Sequence, residues 1–443
     1  MKKEINIGLL GFGTVASSFY HIFSEQKSEL DSIFSVPVNI KKIFTRGNSH
    51  PVPENVKSLS VRNASDIFED KEIDIVIELI GGIQPAKDFI LKAISEGKSI
   101  ITANKALLAE HGEEIFKKCL EKKSNIGFEA AVGGGIPILR AIKNGLAGDK
   151  VKSVYSIING TSNFILSKMT KEGGKFEDVL KKAQEKGYAE ADPSLDINGT
   201  DSAHKLAILG RLAFSTSLSM KDVIIEGIED ITQLDINFAK ELGYTVKLLG
   251  ILKNEDSKIE IRVHPTLIPS SSLLSKIDGV FNAFLVNTKF AGPLSLTGYG
   301  AGGNPTASAV MGDLMEMISR LVNEDNHHDF IISKIKNKLN IKSKKDIISR
   351  YYLRFSAMDR PGVLSKISGI LGENSISINS MLQKGRKVEG SVPIVITTHE
   401  ANEEELFKSI ALCDELDVIS GKNSRYLLIT PSYLLSTKPP SPF

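Results

Sequence analysis

INIGLLGFGTVA, at residues 5–16, is an apolar run that ends in a glycine-rich turn and continues into a helix-like segment. Gly11 permits the tight turn, Gly13 lets the backbone approach a ligand closely, and the small Ala16 lets the helix pack on the strand. G-x-G-x-x-A in this strand–turn–helix setting predicts a dinucleotide pyrophosphate at the helix N-terminus, with a plain glycine turn as the alternative. The residues expected around the phosphates are Gly11, Phe12, Gly13, Thr14 and Val15.

Strand-like runs and helix-like segments alternate over the first 135 residues. Strands that are separated by helices imply βαβ units, which pair their strands in parallel. We therefore predict an α/β fold that begins with a doubly wound, Rossmann-type parallel sheet. The middle region, with helical segments followed by further strand-like runs, predicts an α+β substrate domain. The runs expected to form the first sheet are 4–10, 36–44, 73–79, 98–102 and 125–132.

The composition is that of an ordinary globular protein. The 443 residues are enough for roughly two to four domains, and 41% hydrophobic with 24% charged residues excludes wholesale disorder. A formal net charge of +2 provides no strong field, so neither nucleic acid nor a membrane surface is expected as a partner. Cys119 and Cys413 form no metal or redox pair, which favours the reducing cytoplasm. No apolar run is long enough for a membrane span, and Glu4 and Asn6 interrupt the one stretch resembling a signal peptide.

The end of the second predicted strand bears on the choice of cofactor. An acidic residue at that point would hold a ribose 2′-hydroxyl, and none is present. Thr45 and Arg46 follow the strand instead, and the guanidinium of Arg46 could pair with a 2′-phosphate. This pattern favours NADP, or the use of both NADP and NAD. A surface arginine that contacts only solvent is the alternative.

Asp201 and Lys205 lie four positions apart in a helix-like segment, so they share one helix face. Apolar residues mark two sides of the same helix, which places Lys205 at the rim of an enclosed site. Burial would lower the pKa of such a lysine, whereas the carboxylates of Asp201 and Glu190 would raise it. The alternative is an ion pair on a solvated surface, worth about 0.3–0.5 kcal/mol.

From residue 350 the element order becomes strand, helix, strand, strand, helix, strand. This order is typical of a ferredoxin-like βαββαβ unit. In its first turn, Pro361 fixes the backbone and Gly362 would let a carboxylate approach the N–H groups that open the next helix.

Four longer motifs make the chain similar to a known family. Their identity and order resemble those of homoserine dehydrogenases over roughly residues 1–325, and residues 350–428 resemble ACT domains, which are small amino-acid sensors. Ser162 and Phe164 depart from this family, which commonly has Thr and Tyr at those positions. The motifs are ELIGG at 78–82, TANKAL at 102–107, NGTSN at 159–163 and GYAEADP at 187–193.

The resemblance implies reversible, NAD(P)H-dependent reduction of L-aspartate 4-semialdehyde to L-homoserine, in threonine, methionine and isoleucine biosynthesis. The domains expected on this basis are an NAD(P)-binding Rossmann domain at 1–135, a substrate and dimerisation domain at 136–325 whose helix 303–325 returns to the cofactor domain, a linker at 326–347, an ACT regulatory domain at 348–430 and a tail at 431–443.

The resemblance also implies roles for single residues. Lys205 matches the family's proton donor, and Glu190 matches its substrate-binding acid. Lys105 matches a residue that contacts cofactor and substrate, and it is a rival candidate for the proton transfer. Asp196 and Asp201 would help to orient the substrate, and the capping of a loop or helix is the alternative for both.

Two glycine-rich turns carry further expectations. Three glycines at 133–135 allow irregular backbone whose carbonyls can turn toward a cation. The alternative for this first turn is a domain hinge that binds no ion. The second turn is GYGAGGNPT, in which Gly302 is expected, by resemblance, to lie beside the nicotinamide; the alternative is an ordinary loop that leads into a helix. The ligands that the resemblance implies for a monovalent cation, Na⁺, are Glu129 and the carbonyl oxygens of Val132, Gly134 and Ile136.

Threonine, the end product of the pathway, is the effector expected at the ACT domain, with Asn379 as a further contact. An ACT unit kept only for assembly is the alternative. A homodimer through the middle sheet, or a homotetramer through paired ACT domains, is expected. Two other functions stay open: another semialdehyde or amino-acid dehydrogenase, and a regulator that senses amino acids and nucleotides without catalysis. The presence of both Glu190 and Lys205 argues against the regulator.

Overall fold

The computed structural model describes residues 2–45, 53–323, 339–384, 390–420 and 425–430. Arg46, most of the predicted linker and the predicted tail lie outside these ranges. Within them, none of the helices combines the length and the apolar character that crossing a bilayer requires.

The first sheet is parallel and six-stranded, as predicted for a Rossmann-type fold. Its strands are β1 (Ile5–Leu10), β2 (Val38–Phe44), β3 (Ser60–Val61), β4 (Ile75–Glu78), β5 (Ser99–Thr102) and β6 (Ile126–Gly127), in the order β3-β2-β1-β4-β5-β6. The helices between them are α1 (Thr14–Phe34), α2 (Glu54–Lys57), α3 (Ser65–Phe68), α4 (Ala86–Ser95) and α5 (Lys105–Lys122).

Helices cover both faces of this sheet, which explains why its central strands are continuously apolar. In β4, Ile75 and Ile77 join the core on one face of the sheet, whereas Val76 joins the core on the other. α1 contributes Ala16, Phe19 and other apolar residues at helical spacing to the first of these cores. The alternation of the strand side chains thus builds two cores around one sheet.

The predicted strand at 125–132 is wrong beyond its start. β6 has only two residues, and Glu129–Ala131 forms a turn of 3-10 helix. The backbone N–H of Glu129 donates to the carboxylate of Asp313, 2.8 Å away, instead of to a neighbouring strand. This long-range contact diverts the chain from the sheet.

The second sheet has twelve strands. They are β7 (Val151–Ile157), β8 (Ile224–Ile225), β9 (Tyr244–Glu255), β10 (Lys258–Pro269), β11 (Phe281–Thr288), β12 (Pro293–Tyr299), β13 (Asn340–Ile341), β14 (Ile348–Met358), β15 (Ile378–Gln383), β16 (Ser391–Thr398), β17 (Ala401–Asn402) and β18 (Arg425–Ile429). The helices of this region are α6 (Ile138–Arg140), α7 (Gly160–Glu172), α8 (Phe176–Glu185), α9 (Ser194–Ile197), α10 (Thr200–Phe214), α11 (Gln233–Glu241), α12 (Gly303–Val322), α13 (Val363–Glu373) and α14 (Glu403–Asp414).

The C-terminal unit has the predicted ferredoxin-like order, with its four main strands arranged β18-β14-β16-β15. Its strand β18 also pairs in parallel with β10, through Thr266 opposite Leu428 and Leu267 opposite Ile429. The end of the stretch predicted as a linker takes part in the sheet as well, since β13 pairs with β10. The main path of this sheet therefore runs without a break from β12 to β15.

Two buried ion-pair clusters fasten the C-terminal unit to the middle region. On β10, the guanidinium of Arg262 donates to Glu403 at the start of α14 across 2.7 Å, and Tyr351 donates to the same carboxylate across 3.1 Å. On the other face, Arg354 and Tyr352 of β14 both donate to Asp235 in α11. Because these charges are out of water, each depends on its partner for compensation.

Glu403→Gln should lower the free energy of unfolding by about 3 kcal/mol, because it leaves the fully buried Arg262 without its closest carboxylate. The neighbouring Glu404, half-exposed beside Lys345, is the matched control, and Glu404→Gln should change that free energy by less than about 0.5 kcal/mol. Urea unfolding of both variants measures the difference. Equal unfolding midpoints would show that the contact between the C-terminal unit and the middle region does not depend on this ion pair.

Candidate active site

The glycine turn after β1 leaves space where a phosphate would lie. Gly11 has a φ of +99°, and a Cβ placed on it would lie 3.0 Å from the carbonyl oxygen of Leu79. Gly13, in contrast, faces open space, because a Cβ on it would meet nothing within 4 Å. α1 begins directly after Gly13 without a side-chain cap, so its first N–H groups remain available to an anion. The geometry of this turn fits a dinucleotide pyrophosphate.

The turn at Gly302 returns the chain to this place. α12 begins at Gly303, and a Cβ on Gly303 would lie 2.5 Å from the hydroxyl of Ser18 and 3.4 Å from Thr14 in α1. The structure therefore brings Gly302 next to the N-terminus of α1, as expected for a neighbour of the cofactor. Arg46 lies outside the described residues, so its predicted contact with a 2′-phosphate stays a prediction.

Lys105, Asp201 and Lys205 meet in one cluster. Asp201 lies in the first turn of α10 and is 5% exposed. One of its oxygens, Oδ1, is 2.5 Å from the ammonium of Lys105, and the other, Oδ2, accepts from Lys205 across 2.7 Å. Lys105 is the first residue of α5 in the first sheet's layer, whereas Lys205 belongs to α10 under the second sheet. A single carboxylate thus joins lysines from two parts of the fold.

The charges of this cluster shift one another's pKa values. Burial alone would raise the pKa of Asp201, but the ammonium groups of Lys205 and Lys105 hold it well below its usual range. Burial lowers the pKa of Lys205, and the positive charge of Lys105 lowers it further against the pull of Asp201. The pKa of Lys105 is raised, because Asp201, Asp196 and Glu190 together outweigh its burial. Lys205 is therefore the lysine that gives up a proton more readily.

Asn159 is a functional candidate to which the sequence reasoning assigned no role. Its Nδ2 donates to Asp196 across 2.7 Å and to Asp201 across 2.9 Å, and its Oδ1 caps α7 by accepting from the N–H of Ser162. The preceding carbonyl, of Ile158, accepts from Lys205 across 2.9 Å. Asn159 therefore sets the spacing of the two carboxylates. Its place inside the NGTSN motif was the only signal in the sequence.

Glu190 lies on an exposed loop beside the cluster. The loop is held at Tyr188, whose carbonyl accepts from Thr161 across 2.6 Å and whose ring packs edge-on against Phe164, 5.0 Å between centroids. Through this aromatic contact Phe164 still packs against the loop, although it lacks the phenolic hydroxyl that the family commonly has at this position. Ser162 likewise donates to the backbone of Asp196 across 2.7 Å. Neither departure leaves a broken contact among these residues.

Arg211 fixes the helices that carry the two lysines. Its buried guanidinium donates to the carbonyl of Ala109 in α5 across 2.6 Å and to that of Leu218 across 2.7 Å, and it also donates to Leu108. Gly112 makes room for it, because a Cβ there would lie 2.6 Å from the guanidinium. α5 and α10 are therefore held together by one arginine at a distance from the lysines.

The glycine turn at 133–135, for which a cation was expected, has left-handed φ values at Gly133 and Gly134, and the nearby Glu129 side chain is hydrogen-bonded. Its two oxygens accept from the backbone N–H groups of Leu139 and Arg140, at 2.9 and 2.7 Å, so it caps α6. Burial raises the pKa of this carboxyl to about 7. The carbonyl of Ile136 accepts from the N–H of Ile138 across 2.8 Å. Among the described residues, no group of three or more His, Cys, Asp and Glu side chains could hold a metal.

Comparisons with known proteins agree with this geometry. Residues 11–129 match the family model described as homoserine dehydrogenase, NAD binding domain, residues 137–315 match that of homoserine dehydrogenase, and residues 351–411 match that of the ACT domain. The homoserine dehydrogenase of Neisseria gonorrhoeae is 42% identical over 422 residues, which cover 94% of this chain and 97% of that protein. That of Pseudomonas aeruginosa is 39% identical over 95% of this chain and 97% of its own.

Solved structures show the same similarity. A homoserine dehydrogenase from Thiobacillus denitrificans superposes with a TM-score of 0.90 and 40% identity, covering 97% of this chain and 98% of that one. The Staphylococcus aureus enzyme at pH 7.5 gives a TM-score of 0.77 and 30% identity, over 97% and 100% of the two chains. A hyperthermophilic archaeal homoserine dehydrogenase in complex with NADPH matches 72% of this chain and 98% of its own, with a TM-score of 0.62 and 26% identity.

Gly13→Ala should fold normally and lose cofactor binding, because the added methyl meets open space that only the pyrophosphate would fill. We expect the melting temperature without cofactor to stay within about 2 °C of the wild type, and the rise on adding NADPH or NADH to vanish. Gly369→Ala, at an equally open position in α13, is the control and should keep that rise. An unchanged rise in Gly13→Ala would contradict this placement of the cofactor.

Proposed function

The chain belongs to the homoserine dehydrogenase family of NAD(P)-dependent oxidoreductases, and we propose that Asp201, shared by Lys105 and Lys205, is the centre of its reaction site. The reaction is the reversible reduction of L-aspartate 4-semialdehyde to L-homoserine. The bound dinucleotide supplies the hydride. Turnover of the semialdehyde, followed with NADH and NADPH separately, tests the assignment, and no turnover with either would overturn it.

Lys205 is the proton donor that the geometry favours. Two of its ammonium hydrogens are used by Ile158 and Asp201. The third has no described hydrogen-bond partner, and it can pass to the substrate's carbonyl oxygen as the hydride reaches the carbonyl carbon. Its lowered pKa makes the proton easier to release. In homoserine oxidation the neutral amine takes the proton back.

The other residues of the cluster hold charge and substrate. Lys105, with 44% of its side chain exposed, keeps its positive charge and reaches the open side of the site, where it would contact substrate and cofactor. Glu190 offers an exposed carboxylate for the substrate's ammonium group. Asp196, fixed by Asn159, helps to orient the substrate. These roles account for a site that takes a zwitterionic amino-acid substrate.

The alkaline limb of the pH–rate profile for aldehyde reduction should shift in opposite directions in Asp201→Asn and Lys105→Met. Reduction needs charged Lys205, so its rate falls as the pH rises through the pKa of that lysine. Asp201→Asn removes the carboxylate that favours the charged form, so the alkaline limb should move to lower pH by about one unit or more. Lys105→Met removes the repelling charge, so the limb should move to higher pH.

The profiles of kcat against pH are measured at saturating substrate for both variants. Lys92→Gln, half-exposed on α4 beside Glu96, is the control and should leave the profile in place. Shifts of the same sign in Asp201→Asn and Lys105→Met would rule out Lys205 as the group that titrates.

Both NADP and NAD are proposed as cofactors. β2 ends at Phe44 without an acidic side chain for a ribose 2′-hydroxyl, which supports tolerance of a 2′-phosphate. The archaeal structure with NADPH supports the same choice. We further propose that the enzyme works in the cytoplasm, where its two buried cysteines, Cys119 and Cys413, would stay reduced.

The loop at 129–136 is proposed to bind Na⁺ through Glu129 and the backbone carbonyls of Val132, Gly134 and Ile136. Left-handed φ values at Gly133 and Gly134 support this, because they turn successive carbonyls away from helix or strand directions. The carboxylate of Glu129 can still offer a lone pair to the ion, because each of its oxygens accepts only one described N–H bond. Val132 and Gly134 supply the carbonyls that fit best. No step of the reaction is assigned to the ion.

A homodimer through the second sheet is proposed. β12 ends the sheet and leaves Tyr299 half-exposed beside Phe281, in a stacked pair 4.7 Å apart. An exposed aromatic pair at a sheet edge is a common feature of protein interfaces. For a homotetramer through ACT domains, β18 is already paired with β10, so the pairing would use β15 at the other end.

Threonine is proposed as an effector at the turn between β14 and α13. Gly362, with a φ of +87°, precedes α13 and has open space around it. Asn379 in β15 is exposed, and its amide donates to Thr397 across 3.2 Å. A chain cut near residue 345 would not test this, because it would lose β18 and leave Arg262 without Glu403. Variants of the intact chain are needed.

Asn379→Ala should raise the threonine concentration for half-inhibition by about three- to tenfold without changing the rate in its absence, because it removes one polar contact from the proposed ligand site. Lys408→Gln, exposed on the outer side of α14, is the control. Steady-state rates are measured across a threonine titration. A flat curve for the intact wild-type chain would exclude threonine as an effector.

A further inference from the structure

The order of the first sheet shows which strand ends face the reacting half of the cofactor. In a doubly wound sheet the dinucleotide crosses the carboxyl edge at the point where the strand order reverses, here between β1 and β4. The adenosine half lies toward β2, so the nicotinamide half lies over the ends of β4 and β5. Glu78 is the last residue of β4, and Thr102 is the last residue of β5.

Glu78 is fully buried and holds the loop that follows it. Its Oε1 accepts from the backbone N–H groups of Ile80 and Gly81, at 2.8 and 3.2 Å. Gly81 and Gly82 have left-handed φ values, and a Cβ on either would meet nothing within 4 Å. The loop therefore borders open space, and its backbone is held in place by the carboxylate of Glu78. It also lies close to Gly11, because a Cβ on Gly11 would be 3.0 Å from the carbonyl oxygen of Leu79.

The same carboxylate is linked to Lys105. Its Oε2 accepts from the hydroxyl of Thr102 across 2.7 Å, and that hydroxyl accepts in turn from the N–H of Asn104 across 3.0 Å. The side chain of Asn104 donates to Gly82 across 2.6 Å and caps α5, whose first residue is Lys105. One network thus positions both the open loop and the lysine beside Asp201.

The hydrogen bonds of Glu78 favour its ionised form. Two backbone N–H groups and the hydroxyl of Thr102 all donate to it. A protonated carboxyl would have to donate to the hydroxyl of Thr102, and the hydrogen of that hydroxyl would then lose its described acceptor. Burial raises the pKa of Glu78, and these donors, together with Asn104, oppose that rise. Its described contacts include no cation, so the carboxylate is a buried negative charge without a counter-ion.

We propose that Glu78 is a positioning residue for the nicotinamide end of the cofactor, and that its uncompensated charge favours the oxidised, cationic ring over the reduced, neutral ring. A negative charge in a poorly hydrated site stabilises a nearby positive charge and has little effect on a neutral group. In the direction of aldehyde reduction this stabilises the cofactor product. The proposal rests on the dinucleotide binding proposed above.

Glu78→Gln separates the charge from the shape. The amide can still accept from Ile80 and Gly81 and donate toward Thr102, so the loop keeps its hydrogen bonds. Asp74→Asn is the matched control, because Asp74 precedes the same strand at its amino end and accepts from the N–H of Asn6 across 2.9 Å. The two variants neutralise carboxylates at opposite edges of one sheet.

The dissociation constants of the oxidised and reduced cofactor are measured by fluorescence titration. We expect Glu78→Gln to raise the ratio of the oxidised to the reduced constant roughly tenfold. Asp74→Asn should leave that ratio within about twofold of the wild type. An unchanged ratio in folded Glu78→Gln would overturn the proposed charge effect. Absence of cofactor binding in the wild type would instead overturn the proposed function.

Thr102→Val tests the positioning role if Glu78→Gln does not fold. It keeps the charge and the size of the side chain, but it removes the hydroxyl between Glu78 and Asn104. Both dissociation constants should then rise by about three- to tenfold, with their ratio unchanged. Wild-type constants for both forms in folded Thr102→Val would contradict the positioning role.

Discussion

Asp201 is shared by two lysines that come from different layers of the fold, and the geometry of the active site depends on this bridge. Lys105 opens a helix of the first sheet, and Lys205 lies one turn beyond Asp201 in α10. Two ammonium groups so close together would repel each other without the carboxylate between them. The same carboxylate would be too costly to bury without both lysines. The three charges therefore stabilise one another, which helps to fix the relative position of the two layers at the reaction site.

Much of the structure around this bridge is devoted to fixing its position. Asn159 sets the distance from Asp201 to Asp196, and Arg211, in the later part of α10, joins that helix to the early part of α5. Asn159 is a neutral amide, so it fixes the two carboxylates without adding a net charge beside Lys205. Arg211 is a cation, and its guanidinium is held by three backbone carbonyls.

The sequence was sufficient for those features that depend on neighbours along the chain. The glycine turn at 11–16, the parallel sheet and the βαββαβ unit were all predicted, because strand–turn–helix signals are local. The pairing of Asp201 with Lys205 followed from their spacing of four on one helix. The contact of Lys105 with Asp201 spans 96 positions and was not predicted, since the family resemblance implied only contacts of Lys105 with cofactor and substrate. No local pattern reports the pairing of β18 with β10, or the contact of Asp313 that ends β6, and these were missed.

The union of the C-terminal unit with the second sheet has a consequence for regulation. β18 pairs with β10, and α10, which carries Asp201 and Lys205, packs on β9 and β10. An effector that shifts the ACT strands would therefore act, through the pairing of β18 with β10, on the sheet against which the reaction helix is packed. Packed sheets transmit small displacements because their interiors resist compression. Since the Asp201 bridge spans both layers, a small movement of α10 relative to α5 would change the separation of the two lysines, and with it the pKa of Lys205.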